Sequence, residues 1–139
     1  MVKFLSDEWI EKAKQVVEKN LDPKEDMKNS TTSLLNIIQN VPPNKRNMYF
    51  YASFDNGELS EFHVDSDDNF LDKKNPEFTV IGDYTVFTQI LKGEMSIAMA
   101  LLKNRVKLKG DKMKALRFAK PIDRINNCFR EIGTEFEEG

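Results

Sequence analysis

The chain has 139 residues, with 21 basic and 23 acidic side chains and a formal net charge of −2. This length fits one domain, and the lack of a basic excess argues against a nucleic-acid-binding protein. A single cysteine permits no internal disulfide, so we expect a reducing compartment, with the cytoplasm as the default. The early charges do not fit a signal peptide, and no apolar run is long enough to span a bilayer.

Residues 1–32 are predicted to form a helix and a loop. Ser6 is the expected N-cap of a helix that ends near Asn20, because its hydroxyl can accept a hydrogen bond from the first turn. The apolar residues of this helix form one stripe suited to packing on a sheet. Asp22 and Pro23 then predict a loop.

The segment Ser33–Gln39 is ambiguous between helix and strand when judged by the spacing of its apolar residues alone. Two adjacent leucines favour a helix, whereas the β-branched pair Ile37 and Ile38 and the prolines that follow favour a strand. We predict a strand.

Residues 48–65 carry the clearest β pattern, two alternating runs around a turn that contains Gly57. A two-residue loop would place apolar and charged side chains on the same face of the hairpin. A three-residue loop, with Gly57 in a left-handed bulge position, pairs Phe50 with Phe62 and keeps the faces separate. We therefore predict the three-residue loop, with His63 on the opposite face.

The second half of the chain predicts further elements. A short strand at Phe78–Ile81 precedes an amphipathic helix that ends at Gly93, and the strand Arg105–Lys109 precedes a closing helix capped by Asp111. Between them lies a short helix, residues 97–102, which is apolar on every side. It is therefore expected to be buried all round or to face a cavity.

The closing helix carries an apolar stripe maintained over four turns. Pro121 lies inside it, so we expect a kink or a break near Ala119. Gly133 is expected to end the helix, and residues 133–139 to form a frayed acidic tail. The stripe consists of Phe118, Ile122, Ile125, Phe129 and Ile132.

The order of these elements predicts the fold class. Strands come first and helices are grouped later, which favours an α+β fold with helices layered on one face of a mainly antiparallel sheet.

Catalytic and metal-binding chemistry finds little support in the sequence. His63 is the only histidine and lacks partners for a metal site, so an ordinary surface histidine is the favoured interpretation. Cys128 lacks the surroundings of a catalytic cysteine. Asp65 and its acidic neighbours lack the glycine and distal glutamate of a calcium loop. An enzyme is therefore the weaker class, and no cofactor or metal is expected.

Two features of the second half have a structural and a functional interpretation. Met95, Met99 and Met113 most simply fill a core, but methionine also lines adaptable pockets. A row of basic residues from Lys103 to Lys109 most simply solvates an exposed strand. Transient contact with an acidic membrane surface is the sharper alternative.

The stretch Gly82–Asp111, GDYTVFTQILKGEMSIAMALLKNRVKLKGD, resembles the signature half of the sterol carrier protein type 2 family of lipid-binding domains. The resemblance covers about residues 30 to 136. Ile97 stands where a proline is usual and Asn104 where a glycine is usual, so the local turns are expected to differ. The matching residues are Gly82-Asp83-Tyr84, Lys92-Gly93-Glu94, Lys107-Leu108-Lys109-Gly110-Asp111 and the closing Gly133-Thr134-Glu135-Phe136, which is similar to the end of stand-alone prokaryotic members.

The resemblance implies a five-stranded sheet covered by helices, with an apolar tunnel that holds acyl chains, sterols or isoprenoids. It also supports the strand at Ser33–Gln39. The candidate ligand-contacting residues that it implies are Phe50, Phe62, Val64, Phe87, Ile90, Leu91, Met95, Met99, Leu102, Val106, Leu108, Met113, Leu116 and Phe118.

The leading hypothesis is a single domain, residues 1–139, that binds or carries lipid-like molecules without catalysis. The alternative is a protein-interaction or dimerisation module with a collapsed cavity and no ligand. A third hypothesis, an enzyme that uses His63 or Cys128, requires a cleft around that residue.

Overall fold

In the computed structural model, which describes residues 1–138, four α-helices lie against one face of a five-stranded sheet. The helices are α1 (Asp7–Asn20), α2 (Tyr84–Lys92), α3 (Ile97–Leu102) and α4 (Lys112–Cys128). The strands of this sheet are β2 (Thr32–Val41), β3 (Arg46–Asp55), β4 (Glu58–Asp65), β5 (Phe78–Asp83) and β6 (Lys107–Lys109). A separate two-stranded sheet joins β1 (Val2–Lys3) to β7 (Thr134–Glu135), and 3-10 turns span Asn69–Leu71 and Phe129–Ile132.

The large sheet is mixed, with the strand order β4-β3-β2-β5-β6. The central strand β2 pairs with β5 in parallel, and the other three pairs are antiparallel. The predicted α+β class and the mainly antiparallel sheet are therefore confirmed, with one parallel pair at the centre. The strand predicted at Ser33–Gln39 is also confirmed, as the middle of the sheet.

The predicted three-residue hairpin loop is wrong. Asp55 pairs with Glu58, so Asn56 and Gly57 form a two-residue turn, with φ angles of 51° and 86°. Asn-Gly is the dipeptide that best tolerates two consecutive positive φ angles. The predicted loop length was wrong because a bulge farther along the strand also separates the apolar and charged faces.

That bulge lies at Ser60 and keeps the two faces of the hairpin separate. Phe54 pairs with Leu59 before it and Ser53 with Glu61 after it, so Ser60 is the extra residue of β4. Its hydroxyl oxygen lies 2.8 Å from that of Ser53. Beyond the bulge Phe50 faces Val64 and Ala52 faces Phe62, in place of the predicted Phe50–Phe62 pair.

The N-caps predicted at Ser6 and Asp111 are present, and α2 and α3 are capped in the same way. A side-chain oxygen accepts a hydrogen bond from the first turn of α1, α2, α3 and α4, which satisfies amides that have no partner within the helix. Gly93 ends α2 with φ 80°, a left-handed conformation that residues with a side chain rarely adopt. The four capping residues are Ser6, Asp83, Ser96 and Asp111.

Of the two sequence-based alternatives for helix α3, burial on every side is wrong, whereas Ile97 and Leu101 do face an apolar pocket. Ile97, Ala100 and Leu101 are buried, whereas Met99 and Leu102 are 42% and 59% exposed. The helix packs on the protein through one side, so its other side faces outward even though it is apolar. Asn104, which stands where the family usually has a glycine, adopts a left-handed conformation just after α3, with φ 55°.

The helix α4 continues through Pro121, so of the predicted kink or break near Ala119 the break does not occur. A proline inside a helix costs about 3 kcal/mol. Packing of α4 against α1, α2 and α3 offsets this cost, and Ala119 and Ile125 are both buried. Among the described residues no helix is both long enough and apolar enough to cross a membrane.

The C-terminal residues are docked rather than frayed as predicted. Thr134 and Glu135 form strand β7 beside Val2 and Lys3. The ring of Phe136 lies 5.2 Å from that of Phe4, and the Tyr84 hydroxyl donates a 2.7 Å hydrogen bond to the Glu137 carbonyl. The acidic side chains of this tail favoured a solvent-exposed segment. The residues that alternate with them, Thr134 and Phe136, pack against the protein. Gly139 of the predicted tail lies outside the described residues.

Candidate functional site

An apolar pocket of about 180 Å³ lies between the helix layer and the sheet. Inward-facing side chains of all five strands of the large sheet form one wall, and all four helices contribute to the other. The N-terminal region closes one side through Phe4, Trp9, Leu21 and Met27. The pocket is therefore built from nearly the whole length of the chain.

The sheet wall of the pocket contains a row of paired residues that crosses the strands. Asn36 on β2 lies opposite Phe50 on β3 and opposite Val80 on β5, and Val80 in turn lies opposite Leu108 on β6. Residues paired across a sheet point to the same face, so all four face the pocket. A polar side chain therefore lies at the centre of an apolar row.

Two polar side chains, Asn36 and Asn126, line the pocket without a hydrogen-bond partner elsewhere in residues 1–138. A third, Thr32, already donates its hydroxyl hydrogen to the Glu77 carboxylate. Each free amide offers two donors and one acceptor oxygen. No acidic or basic side chain among the described residues lines the pocket, so it can satisfy a small neutral polar group better than a charge.

Aromatic rings in contact with one another form part of the pocket wall. The Trp9 ring is 6.5 Å from that of Phe50 and 5.7 Å from that of Phe129, and Phe50 lies 4.8 Å from Phe62. Such edge-to-face and tilted contacts are the favoured geometries for aromatic pairs. They hold the rings in place and present carbon surface to the pocket.

Half of the residues proposed from the sequence as ligand contacts line this pocket. That a ligand touches them stays a prediction. They are Phe50, Phe62, Phe87, Ile90, Leu91, Leu108 and Phe118.

The other proposed residues do not line the pocket. Met99, Leu102 and Met113 are exposed on the outside, because they lie on the outward sides of α3 and α4. Val106 is buried against Gly82, where a Cβ atom would come within 2.8 Å of its side chain. Val64, Met95 and Leu116 are partly buried and pack against the core from its periphery.

Several pocket residues were missed by the sequence argument. The sequence did contain a signal for Ile122, Ile125 and Phe129. They belong to the apolar stripe that runs from Phe118 to Ile132. The signal for the sheet residues was the alternation of each strand. Trp9 lies on the apolar stripe of the first helix, which was predicted to pack on a sheet, whereas no local pattern marks Met27.

The candidate catalytic residues lie apart from the pocket. His63 is on the sheet face opposite the helices, exposed, with its ring 4.4 Å from that of Phe70. Its Nε2 lies 3.6 Å from the Asp65 carboxylate, whose pKa is lowered chiefly by the Asp67 amide. Cys128 is a free, partly buried thiol. Within residues 1–138 no cluster of three His, Cys, Asp or Glu side chains could hold a metal ion.

The family model of the SCP-2 sterol transfer family matches residues 19–123, three quarters of the chain. The chain belongs to the SCP-2 sterol transfer family. The match covers the whole large sheet and most of the pocket, and it confirms the resemblance carried by Gly82–Asp111. A comparison with curated protein sequences finds no match.

Solved structures share the fold. A conserved hypothetical protein from Thermus thermophilus, described as possibly a sterol carrier protein, aligns with a TM-score of 0.75 at 13% identity, over 100% of this chain and 96% of its own. A crystal structure of sterol carrier protein 2 aligns with a TM-score of 0.74 at 14% identity, over 93% and 98%. Palmitated SCP2L2 from Aedes aegypti aligns with a TM-score of 0.59 at 16% identity, over 85% of this chain and 95% of its own. At these identities the likeness concerns the fold.

Proposed function

We propose that this SCP-2 family member binds and transfers slender lipid-like ligands, of the fatty acyl type, in the apolar pocket. The observation that carries the proposal is the pocket itself, which is lined by apolar side chains and two unpartnered amides. Burying apolar ligand surface there gains about 25 cal/mol per Å², and no chemical step is needed.

The size of the pocket favours a narrow ligand over a bulky one. Its 180 Å³ is below the roughly 300–1,000 Å³ typical of pockets that hold drug-sized ligands. A single acyl chain needs a narrow channel, whereas a fused-ring sterol needs a wide cavity. Palmitate on the Aedes aegypti protein of the same fold is consistent with an acyl ligand.

The polar groups of the pocket favour a ligand with an uncharged polar end. Asn36 and Asn126 can donate to and accept from a hydroxyl, an ester or a protonated carboxyl group. Among the described residues, no basic side chain lines the pocket to pair with a carboxylate. A charged end is therefore expected to lie outside the apolar wall.

The test begins with the protein as purified. Its lipids are extracted with organic solvent and identified by mass spectrometry, and the delipidated protein is then titrated with a fluorescent fatty acid. Trp9 is the only tryptophan and lines the pocket, so energy transfer from Trp9 to the probe reports binding at this site. We expect palmitate to displace the probe more effectively than cholesterol does. No co-purifying lipid together with no energy transfer would contradict the proposal and favour the ligand-free interaction module.

A further inference from the structure

We propose that the edge of the sheet formed by α3, β6 and the start of α4 docks on membranes that carry anionic lipids. We call residues 99–120 the basic edge. The proposal goes beyond ligand binding, because it concerns the outer surface and names the partner from which a ligand would be collected.

The charge of the chain is distributed unevenly. Residues 103–120 contain eight basic side chains and one acidic residue, Asp111, so their net charge is +7 in a chain of net charge −2. The remaining residues therefore carry −9. All eight basic residues are exposed, and of these Lys114 alone forms an ion pair, with Glu77, among the described residues. Such a concentration of unpaired charge attracts an anionic surface.

Exposed apolar side chains occur at the same edge. Leu102 and Met113 are 59% and 70% exposed and Met99 is 42% exposed, and apart from Met1 they are the exposed large hydrophobic residues of the described chain. They flank β6, which is an outermost strand of the sheet. Leu102 and Lys107 are separated by only a short turn, which the Arg105 amide ties back to the Ala100 carbonyl.

The mixture of side chains favours a membrane over other anionic partners. Lysine and arginine bind phosphate headgroups while apolar side chains enter the boundary between headgroups and acyl chains. A nucleic acid would use the charges but would leave Leu102 and Met113 in water. Edge lysines also prevent strands of two proteins from pairing, but that role does not need exposed leucine or methionine.

The basic edge is also the outer side of the pocket wall. Leu101 lines the pocket and Leu102 is exposed, and Leu108 lines it between the exposed Lys107 and Lys109. Docking through this edge would therefore place the membrane next to the elements that enclose the pocket. A ligand would then pass between membrane and pocket without crossing bulk water.

The test is co-flotation of the full chain with vesicles. We expect binding to phosphatidylcholine vesicles that contain phosphatidylglycerol, weak binding to pure phosphatidylcholine vesicles, and loss of binding in about 1 M salt, where screening acts beyond roughly 3 Å. Each basic residue near an anionic surface strengthens binding about fivefold. The double variant R105E/K107E is therefore expected to bind at least tenfold more weakly.

The matched control is K14E/K24E, which makes the same change in charge at two exposed lysines outside the basic edge. It should bind within about twofold of the unchanged protein. A second pair, L102S/M113S, should weaken binding while leaving the charge unaltered. Equal losses in R105E/K107E and K14E/K24E would overturn the proposal, because net charge alone would then explain binding.

Other outcomes also decide the question. No binding to anionic vesicles, or binding to an RNA oligonucleotide in its place, overturns membrane docking. Energy transfer from Trp9 to a fluorescent fatty acid in the same protein samples would in that case leave the ligand-binding proposal intact. Vesicle binding without ligand binding would support membrane docking and contradict the ligand-binding proposal. The two proposals can therefore fail separately.

Discussion

The indole nitrogen of Trp9 donates a 2.8 Å hydrogen bond to the hydroxyl of Thr134. The two residues are 125 positions apart in the chain, and the bond joins helix α1 to strand β7. Trp9 is 1% exposed and its ring lines the pocket. The bond therefore fixes the orientation of a pocket-facing ring from outside the pocket, through a segment that was predicted to be a frayed tail.

The replacement T134V should destabilise the fold, because it leaves the buried indole N–H of Trp9 without a partner. The expected cost is about 1–3 kcal/mol in the free energy of unfolding. Urea denaturation followed by Trp9 fluorescence measures it. T134S keeps the hydroxyl and is the control. Equal stability of T134V and the unchanged protein would mean that water replaces the bond.

Filling the pocket should weaken ligand binding without unfolding the protein. Ala115 on α4 lines the pocket, so A115L places three additional carbon atoms there. We expect at least a tenfold loss of affinity for a fluorescent fatty acid, with a change in unfolding free energy of about 1 kcal/mol or less. Ala98 on α3 does not line the pocket, and A98L is the matched control. Equal affinities in the two variants would place the ligand elsewhere.

The two pocket amides should control the preference for a polar ligand end. Replacing Asn36 or Asn126 by leucine removes hydrogen-bonding groups that have no partner in residues 1–138. We expect affinity for a fatty alcohol to fall about tenfold relative to the alkane of equal length, since one lost hydrogen bond costs about 1.5 kcal/mol. The exposed neighbour Asn127 supplies the control N127L. If the ratio of the affinities for the alcohol and the alkane is unchanged in N36L and N126L, the two amides do not take part in ligand recognition.

The carboxylate of Asp83 should make the protein less stable as the pH falls through the acidic range. Hydrogen bonds from the Asn40 amide at 2.7 Å and from Thr85 hold the pKa of this helix-capping carboxyl below its ordinary value of 3.8. Because the folded-state pKa is lowered, the stabilisation is present above the unfolded value and is lost as pH falls through the folded one.

The free energy of unfolding should therefore decline as pH falls below about 4. The variant D83N can still cap α2 but does not titrate, so its decline should be shallower. Urea denaturation at several pH values between neutral and acidic conditions measures both slopes. Parallel slopes for the two proteins would show that other carboxylates govern acid unfolding, Glu77 beside Lys114 being the first candidate, since that ion pair lowers its pKa.

Local signals in the sequence predicted most of the fold. The capping residues Ser6 and Asp111 mark helix starts because their role depends on neighbouring amides alone. The glycine at position 93 marks a helix end for the same local reason. The family resemblance added the five-stranded sheet, which is confirmed.

What the sequence did not predict depends on contacts between distant residues. The predicted register of the hairpin was wrong because the alternation of apolar and polar residues does not reveal the bulge at Ser60. The exposure of Leu102 was missed because composition indicates that α3 is apolar but not which side meets the protein. The pocket contributions of Trp9 and Met27 were missed because the sequence shows an apolar stripe on α1 but not which part of the sheet it covers, and Met27 lies in a loop without a periodic pattern.

The bulge at Ser60 makes strand β4 one residue longer than its pairing with β3 requires. Deleting Ser60 would leave every pair intact, from Phe54 with Leu59 to Tyr49 with Asp65, because the residue has no partner in the ladder. Deleting a residue nearer the centre of β4 would instead turn Phe62 or its neighbours away from the pocket. In evolutionary terms, Ser60 is a point at which this hairpin can lose a residue without altering the pocket.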